Sequence, residues 1–176
     1  MIITLSGLPG SGKTSVAKEL ASNYGFVIIS AGEQFRKLAA EKGLSLEEFG
    51  RMAEADKAID LAIDQRQKQL AMREEKAIVE GRLAGRTLEE ADLKIWLKTS
   101  LEVRSRRISK RENVTYEQAL SETKEREISE STRYMKFYNI NQNDLLCYDL
   151  VIDTNKWDVA GVTAIISNAI DNLRQT

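Results

Sequence analysis

The chain has 176 residues, of which 42% are hydrophobic and 30% charged, with 26 Lys and Arg against 27 Asp and Glu for a formal net charge of −1. That length buries a sizeable core as one domain, and evenly signed charge argues against disorder and against a basic protein that coats nucleic acid. The absence of histidine excludes a Ser-His-Asp triad, a histidine base and His-ligated zinc, and the single Cys147 excludes an internal disulfide or a multi-cysteine metal site.

In chain order, short apolar runs alternate with longer helical patterns. Strands are expected near 2–6 (IITLS), 26–30 (FVIIS), 77–80 (AIVE), 93–97 (LKIWL) and 149–153 (DLVID). Helices are expected near 13–24, 33–42, 46–74, 101–112, 116–138 and 158–174. This alternation predicts an α/β fold, a five-stranded parallel sheet with helices on both faces. IITLS and FVIIS read as strands buried on both faces. No apolar run approaches a membrane span, and MIITLSG lacks the basic and long apolar regions of a signal peptide, so the expectation is a soluble, cytoplasmic, globular protein.

Two connections, about 31–76 and 98–148, are too long for simple crossovers but helical in pattern. They are either extra packing helices or a substrate-binding arm and a mobile lid. The second reading divides a single domain, 1–176, into a core (1–30, 76–100, 148–176), an arm (about 31–75) and a lid (about 101–147).

Residues 7–14, GLPGSGKT, match G-x-x-x-x-G-K-[ST] in full, with a strand before and a helix after. Gly7, Gly10 and Gly12 let the backbone curl so that its N–H groups face inward. Together with Leu8, Pro9, Ser11, Lys13, Thr14 and Ser15 they make an anion cradle backed by a helix N-terminus. Lys13 is placed to reach β- and γ-phosphates, Thr14 to put its hydroxyl on Mg²⁺, and Ser15 to lie near the α-phosphate. A nucleoside triphosphate with magnesium is the expected ligand. A GTP-dependent switch is disfavoured. NKWD occurs at Asn155–Asp158, but the only D-x-x-G overlaps it at Asp158–Gly161, so it reads as a turn into the last helix.

The third strand ends in IVEGRLAG, which puts Glu80 at the carboxyl edge of the sheet, where it can hold a magnesium-bound water or a substrate group. Arg82 is either a surface arginine or a clamp on a substrate phosphate. The second strand ends in SAGEQFR, where Ser30 or Ala31 opens a turn, Gly32 permits a tight approach, and Arg36 falls on the first turn of the next helix, as an ordinary exposed arginine or, the favoured reading, positioned for phosphate. Further on, Arg104, Arg107 and Arg111 share one helix face, and Arg126 and Arg133 share another. Seven acidic residues lie in the same stretch, so the segment is either a salt-bridged surface or a lid that closes guanidinium groups onto a transferring phosphoryl group.

The combination SAG…FR, EGRLAG, ADLKIWL, ALSETKERE and YDLVIDT resembles the cytidylate kinases, most closely their short archaeal-type branch, over nearly the whole chain. The resemblance implies the P-loop NTPase fold with NMP-binding and lid insertions, and Mg²⁺-dependent transfer of the γ-phosphoryl group of ATP to CMP, with dCMP as a second acceptor. It places residues 7–15 at the ATP phosphates, Arg36 and Arg82 at the acceptor phosphate, and Arg126 and Arg133 in the lid. Joined to the reading of the residues above, the candidate sites are Gly7–Ser15, Arg104 and Arg107 for the donor nucleotide, Ser30, Gly32, Arg36 and Arg82 for the acceptor, Thr14 and Glu80 for the metal, and Lys13, Arg82, Arg126 and Arg133 for the transfer step. A monomer is expected, and the charge balance and short apolar runs argue against a nucleic-acid or membrane partner. Leu83 stands where the bacterial branch carries an aspartate that contacts the nucleoside, so base reading falls to other groups. The helix holding Asp60, Asp64, Arg66 and Gln67 is one source, and a solvated amphipathic helix is the other reading of it. Competing functions are a P-loop kinase for AMP, UMP or a shikimate-like acceptor, and a non-kinase NTP-binding switch.

Overall fold

Strands buried on both faces belong inside a sheet, with a neighbour on each side and helices above and below. A computed structural model describes residues 1–173, apart from the side chains of residues 46 and 47. Five parallel strands, β1 (Ile2–Ser6), β2 (Val27–Ser30), β3 (Ala77–Gly81), β4 (Leu93–Lys98) and β5 (Leu150–Asp153), run in the order β2-β3-β1-β4-β5. Ile3 pairs with Ile78 on one side and Leu93 on the other. β1 and β3 are buried throughout. FVIIS departs from its expectation. β2 is an edge strand with Val27 44% exposed, because the helical layers end there, as they do at Val151 on the other edge.

Successive side chains of a strand point to opposite faces, so β1 feeds two cores. On one face Ile3 and Leu5 pack with Ile95 and Leu97 of β4 and with Val16, Leu20, Val162 and Ile166 of α1 (Lys13–Tyr24) and α8 (Val159–Asp171). On the other, Ile2, Ile29 and Val79 meet Ala71, Ala84 and Leu88. The position 174 assigned to the last helix from sequence lies outside the described residues.

Between β2 and β3 the chain forms α2 (Ala31–Glu41), α3 (Leu46–Ala55) and α4 (Lys57–Ala71). The single helix expected over 46–74 is therefore two. Asp56 takes an extended conformation and its carboxylate accepts a hydrogen bond from the N–H of Ala58 at 2.9 Å, which ends one helix and caps the next. These helices bury their own cluster, with Phe49 fully enclosed by Ala39, Ala53, Ile59 and Ile63.

After β3 comes a short turn the sequence pattern did not reveal, α5 (Ala84–Thr87), and after β4 come α6 (Leu101–Glu112) and α7 (Tyr116–Tyr138). Thr115 and Gln118 form a capping box that starts α7. Asn155–Asp158 is a turn. Asn155 accepts from Ser100 N, and Asp158 caps α8 through Gly161 N at 2.8 Å. No helix among the described residues is long and apolar enough to cross a membrane.

Because Phe49 belongs to the small cluster of α2–α4 and not to the sheet, truncating it empties that cluster selectively. Phe49→Ala is expected to cost about 3–5 kcal/mol in urea denaturation. Amide hydrogen exchange should rise in residues 31–71 before it rises in β1 and β3.

Candidate active site

The glycines of the 7–14 loop have specific reasons to be glycine. Gly10 has φ 79°, and a Cβ there would lie 2.8 Å from the Arg104 carbonyl oxygen; a Cβ at Gly7 would lie 2.4 Å from that of Leu97. The loop thus lies against β4 and α6 at a distance no other side chain permits. Lys13 turns back along it, donating to the carbonyl oxygens of Gly7 at 2.6 Å and Leu8 at 3.0 Å. Burial, then the Arg82 guanidinium, holds the Lys13 ammonium well below the ordinary lysine value of 10.5, against the opposing pull of Glu80 and Glu130. Phosphates beside it would reverse that shift.

Thr14 donates its hydroxyl to Glu80 Oε1 at 3.1 Å across the loop–β3 gap. The other oxygen, Glu80 Oε2, is buried without a hydrogen-bond partner. A hydroxyl and a carboxylate with spare acceptor capacity fit a magnesium ion, which takes few protein ligands and completes its shell with water and phosphate oxygens. Ser15 is exposed at the start of α1 and faces the same cleft.

That cleft, about 1950 Å³, opens between the phosphate loop, α2–α4 and α7. Ser30, Gly32, Glu80 and Arg82 line it. Arg36 also lines it, exposed, on the second turn of α2 instead of the first, because the helix begins at Ala31, earlier than the pattern suggested. Its Nη1 would sit 3.5 Å from a Cβ at Gly32, which places the guanidinium over the N-terminal turn of α2.

The expected lid arginines divide into two sets. Arg104 faces away from the cleft. It is 3% exposed, donates to the carbonyls of Thr99 and Pro9, and pairs with Glu127. Arg107 lines the cleft but also braces the loop, donating to Gly10 O at 3.3 Å and to the carbonyl and hydroxyl of Thr154 at 2.8 and 3.0 Å. Arg126 and Arg133 project into the cleft from α7. Arg126 Nε meets Glu130 Oε1 at 2.9 Å, and Arg82 Nε meets Glu130 Oε2 at 2.8 Å. Arg133 Nε lies 2.9 Å from Asp60 of α4, an ion pair whose N–H is not aimed at the oxygen.

Glu130 was not singled out by sequence reasoning. The signal was present, since it stands four residues after Arg126 and three before Arg133, on the same helix face. Burial pushes its carboxyl up, but the Arg82 and Arg126 guanidiniums outweigh burial and hold it below the usual 4.5. Both arginines spend their Nε on Glu130, which leaves their paired terminal nitrogens for a phosphate.

On α4, Asp60, Asp64 and Gln67 face the cleft, while Arg66 is exposed and lies outside it. Gln67 commits its amide nitrogen to the carbonyls of Ile29 and Glu80, tying α4 to the sheet edge. Asp64 accepts a hydrogen bond from the Tyr138 hydroxyl of α7 at 2.8 Å. Leu83 is buried at the cleft wall and offers no polar group.

A phosphate cradle at the carboxyl edge of a parallel sheet, faced by arginines from two helical insertions, defines a P-loop kinase. Solved structures agree on the fold: a shikimate kinase from Bacteroides thetaiotaomicron matches with a TM-score of 0.63 at 12% identity over 97% of this chain and 98% of its own. An uncharacterized protein from Eubacterium ventriosum matches with a TM-score of 0.71 at 25% identity, covering 98% and 99%. The chain belongs to the cytidylate kinase-like family, whose match spans residues 2–156. It is 66% identical to the cytidylate kinase of Methanocella arvoryzae over 99% of both chains, and 50% identical to that of Methanocaldococcus jannaschii over 99% of this chain and 100% of the other.

Since the folded carboxyl of Glu130 titrates below its unfolded value, its contribution to stability is complete above that value and lost as pH falls through the lower one. Glu130→Gln should be about 1–3 kcal/mol less stable than the wild type at pH 7. In denaturation series, that gap should close as pH drops below 4.5.

Proposed function

We infer that this chain is a cytidylate kinase that transfers the γ-phosphoryl group of ATP, with Mg²⁺, to CMP and dCMP, giving ADP and the nucleoside diphosphate. The observation that carries this reading is one cleft holding both a phosphate loop and, across from it, Arg36, Arg82, Arg126 and Arg133, in a chain of this family. A nucleotide kinase must hold two phosphate groups in line, and these are two separate sets of phosphate donors. A shikimate-like acceptor would have no phosphate for Arg36 and Arg82.

In this reading α2–α4 are the acceptor arm and α6–α7 the lid. The loop amides and Lys13 take the donor's β- and γ-phosphates. Arg36 and the free ends of Arg82 take the acceptor phosphate, and Arg126 and Arg133 lie over the transferring group. Thr14 and Glu80 hold Mg²⁺, which neutralises charge on the donor phosphates. No general base is required, because the attacking phosphate oxygen is already ionised near neutral pH. Arg107 supports the donor site through the loop backbone, and Arg104 does so from behind it. In this reading the protein acts as a monomer on free nucleotides.

A coupled ADP-release assay with ATP·Mg²⁺ against CMP, dCMP, UMP, AMP and GMP tests the reading. CMP should give the fastest turnover. Arg36→Ala should raise the KM for CMP about 10- to 100-fold, the loss of a charged hydrogen bond, with the KM for ATP little changed. Lys13→Met should lower kcat about 100- to 1,000-fold. Slow ATP hydrolysis that is indifferent to every acceptor would refute the assignment. Thr14→Val and Glu80→Gln should each raise the Mg²⁺ concentration needed for half-maximal rate.

A further inference from the structure

We propose that Asp64 and Tyr138 together read the Watson–Crick edge of the acceptor base, and that Asp64 is the residue that selects cytosine over uracil. The proposal rests on the kinase reading above and assigns the base contacts that reading leaves open.

Placement comes first. Asp64 and Tyr138 line the same cleft as Arg36 and Arg82, one from α4 and one from α7, and their oxygens meet at 2.8 Å across it. Gln67 fixes α4 against the carbonyls of Ile29 and Glu80 at the sheet edge, where the acceptor phosphate donors begin. Asp64 lies three residues before Gln67, so its backbone is about 4.5 Å further out along the helix axis. That offset lifts it off the sheet edge into the cleft, one turn short of Asp60 and its partner Arg133, where the base of a nucleotide anchored by Arg36 and Arg82 would lie.

Elimination comes second. The other polar groups of α4 in this region are engaged or turned away: Gln67 spends its amide nitrogen on backbone carbonyls, Asp60 faces Arg133, and Arg66 is outside the cleft. Leu83 contributes only an apolar wall. Asp64 and Tyr138 are the half-buried pair whose hydrogen bond is with each other, across the gap a base would enter.

Chemistry then chooses the base. Cytosine presents the N4 amino donor beside the N3 acceptor, whereas uracil presents the O4 acceptor beside the N3–H donor. A carboxylate beside a phenol offers an acceptor next to a donor, the complement of cytosine. Asp64 accepts from N4, and the Tyr138 hydroxyl turns from Asp64 to donate to N3. With uracil, O4 would face the Asp64 carboxylate, acceptor against acceptor, so the site rejects UMP by repulsion as well as by a lost bond. Burial, then the Asp64 carboxylate, pushes the Tyr138 hydroxyl up, so it stays protonated and able to donate. Burial also raises the Asp64 carboxyl to about 6, against the lowering hydrogen bond from Tyr138, a cost that binding the N4 amino group would offset.

The two residues give separable tests on the full-length chain, with kcat/KM measured for CMP and UMP at saturating ATP·Mg²⁺ and nucleotide affinity measured by calorimetry. An asparagine amide can turn to present either oxygen or nitrogen, so Asp64→Asn should accept both bases. The UMP-to-CMP ratio of kcat/KM should rise about tenfold or more, with the KM for ATP unchanged. Tyr138→Phe should weaken CMP binding about tenfold and UMP binding by less, shifting the ratio the same way through the larger loss on cytosine. A ratio within twofold of wild type in Asp64→Asn overturns the proposal while leaving the kinase reading intact. If Asp64→Asn does not fold, Tyr138→Phe decides, and unchanged CMP affinity overturns it. A wild-type chain that turns over no CMP overturns the kinase reading, and this proposal with it.

Discussion

Like charges crowded into a partly dry cleft repel, and that repulsion is the constraint around which this protein is built. Lys13, Arg36, Arg82, Arg107, Arg126 and Arg133 converge on one cleft. The protein meets the cost with carboxylates at set positions. Glu130 stands between Arg82 and Arg126, Asp60 faces Arg133, and Glu80 lies beside Thr14 and Lys13. The depressed Lys13 ammonium records what repulsion and burial remain.

The same pairs connect elements the hydrophobic cores leave separate. The α2–α4 cluster and the two sheet-side cores share no residue, and α7 reaches α3 and α4 through polar contacts: Ser129 with Glu54, Arg133 with Asp60, and Tyr138 with Asp64. Polar contacts across an open cleft are individually weak and readily exchanged for ligand. Strongly held groups sit elsewhere, where movement would harm the site. Arg104 and Arg107 fasten the phosphate loop to α6 and to the end of β5, and Gln67 fastens α4 to the sheet.

Much of this was legible from residues alone. Strand–helix alternation, the glycine-rich motif and the placing of Glu80 and Arg82 after an apolar strand all depend on local pattern, and local pattern sets backbone conformation. Two of the departures show why the rest was not. The helix over 46–74 broke at Asp56 because a side chain competing for the backbone can end a helix that apolar periodicity would continue. Arg104 is expected at the ligand beside Arg107 but faces the loop, because a charged helix face looks the same in sequence whether it faces substrate or a neighbouring loop.

What the sequence determined by itself is the fold class, the phosphate cradle and the inventory of charged groups, since these follow from short-range geometry and residue chemistry. Tertiary structure alone decided which charges meet. Residues 82 and 130, 60 and 133, and 64 and 138 come from elements far apart in the chain, and nothing local specifies their partnership. Only when α4 and α7 pack over the carboxyl edge of the sheet does an arginine acquire its carboxylate, or an aspartate its phenol. Distance and burial then set which groups are spent on one another and which remain for a ligand.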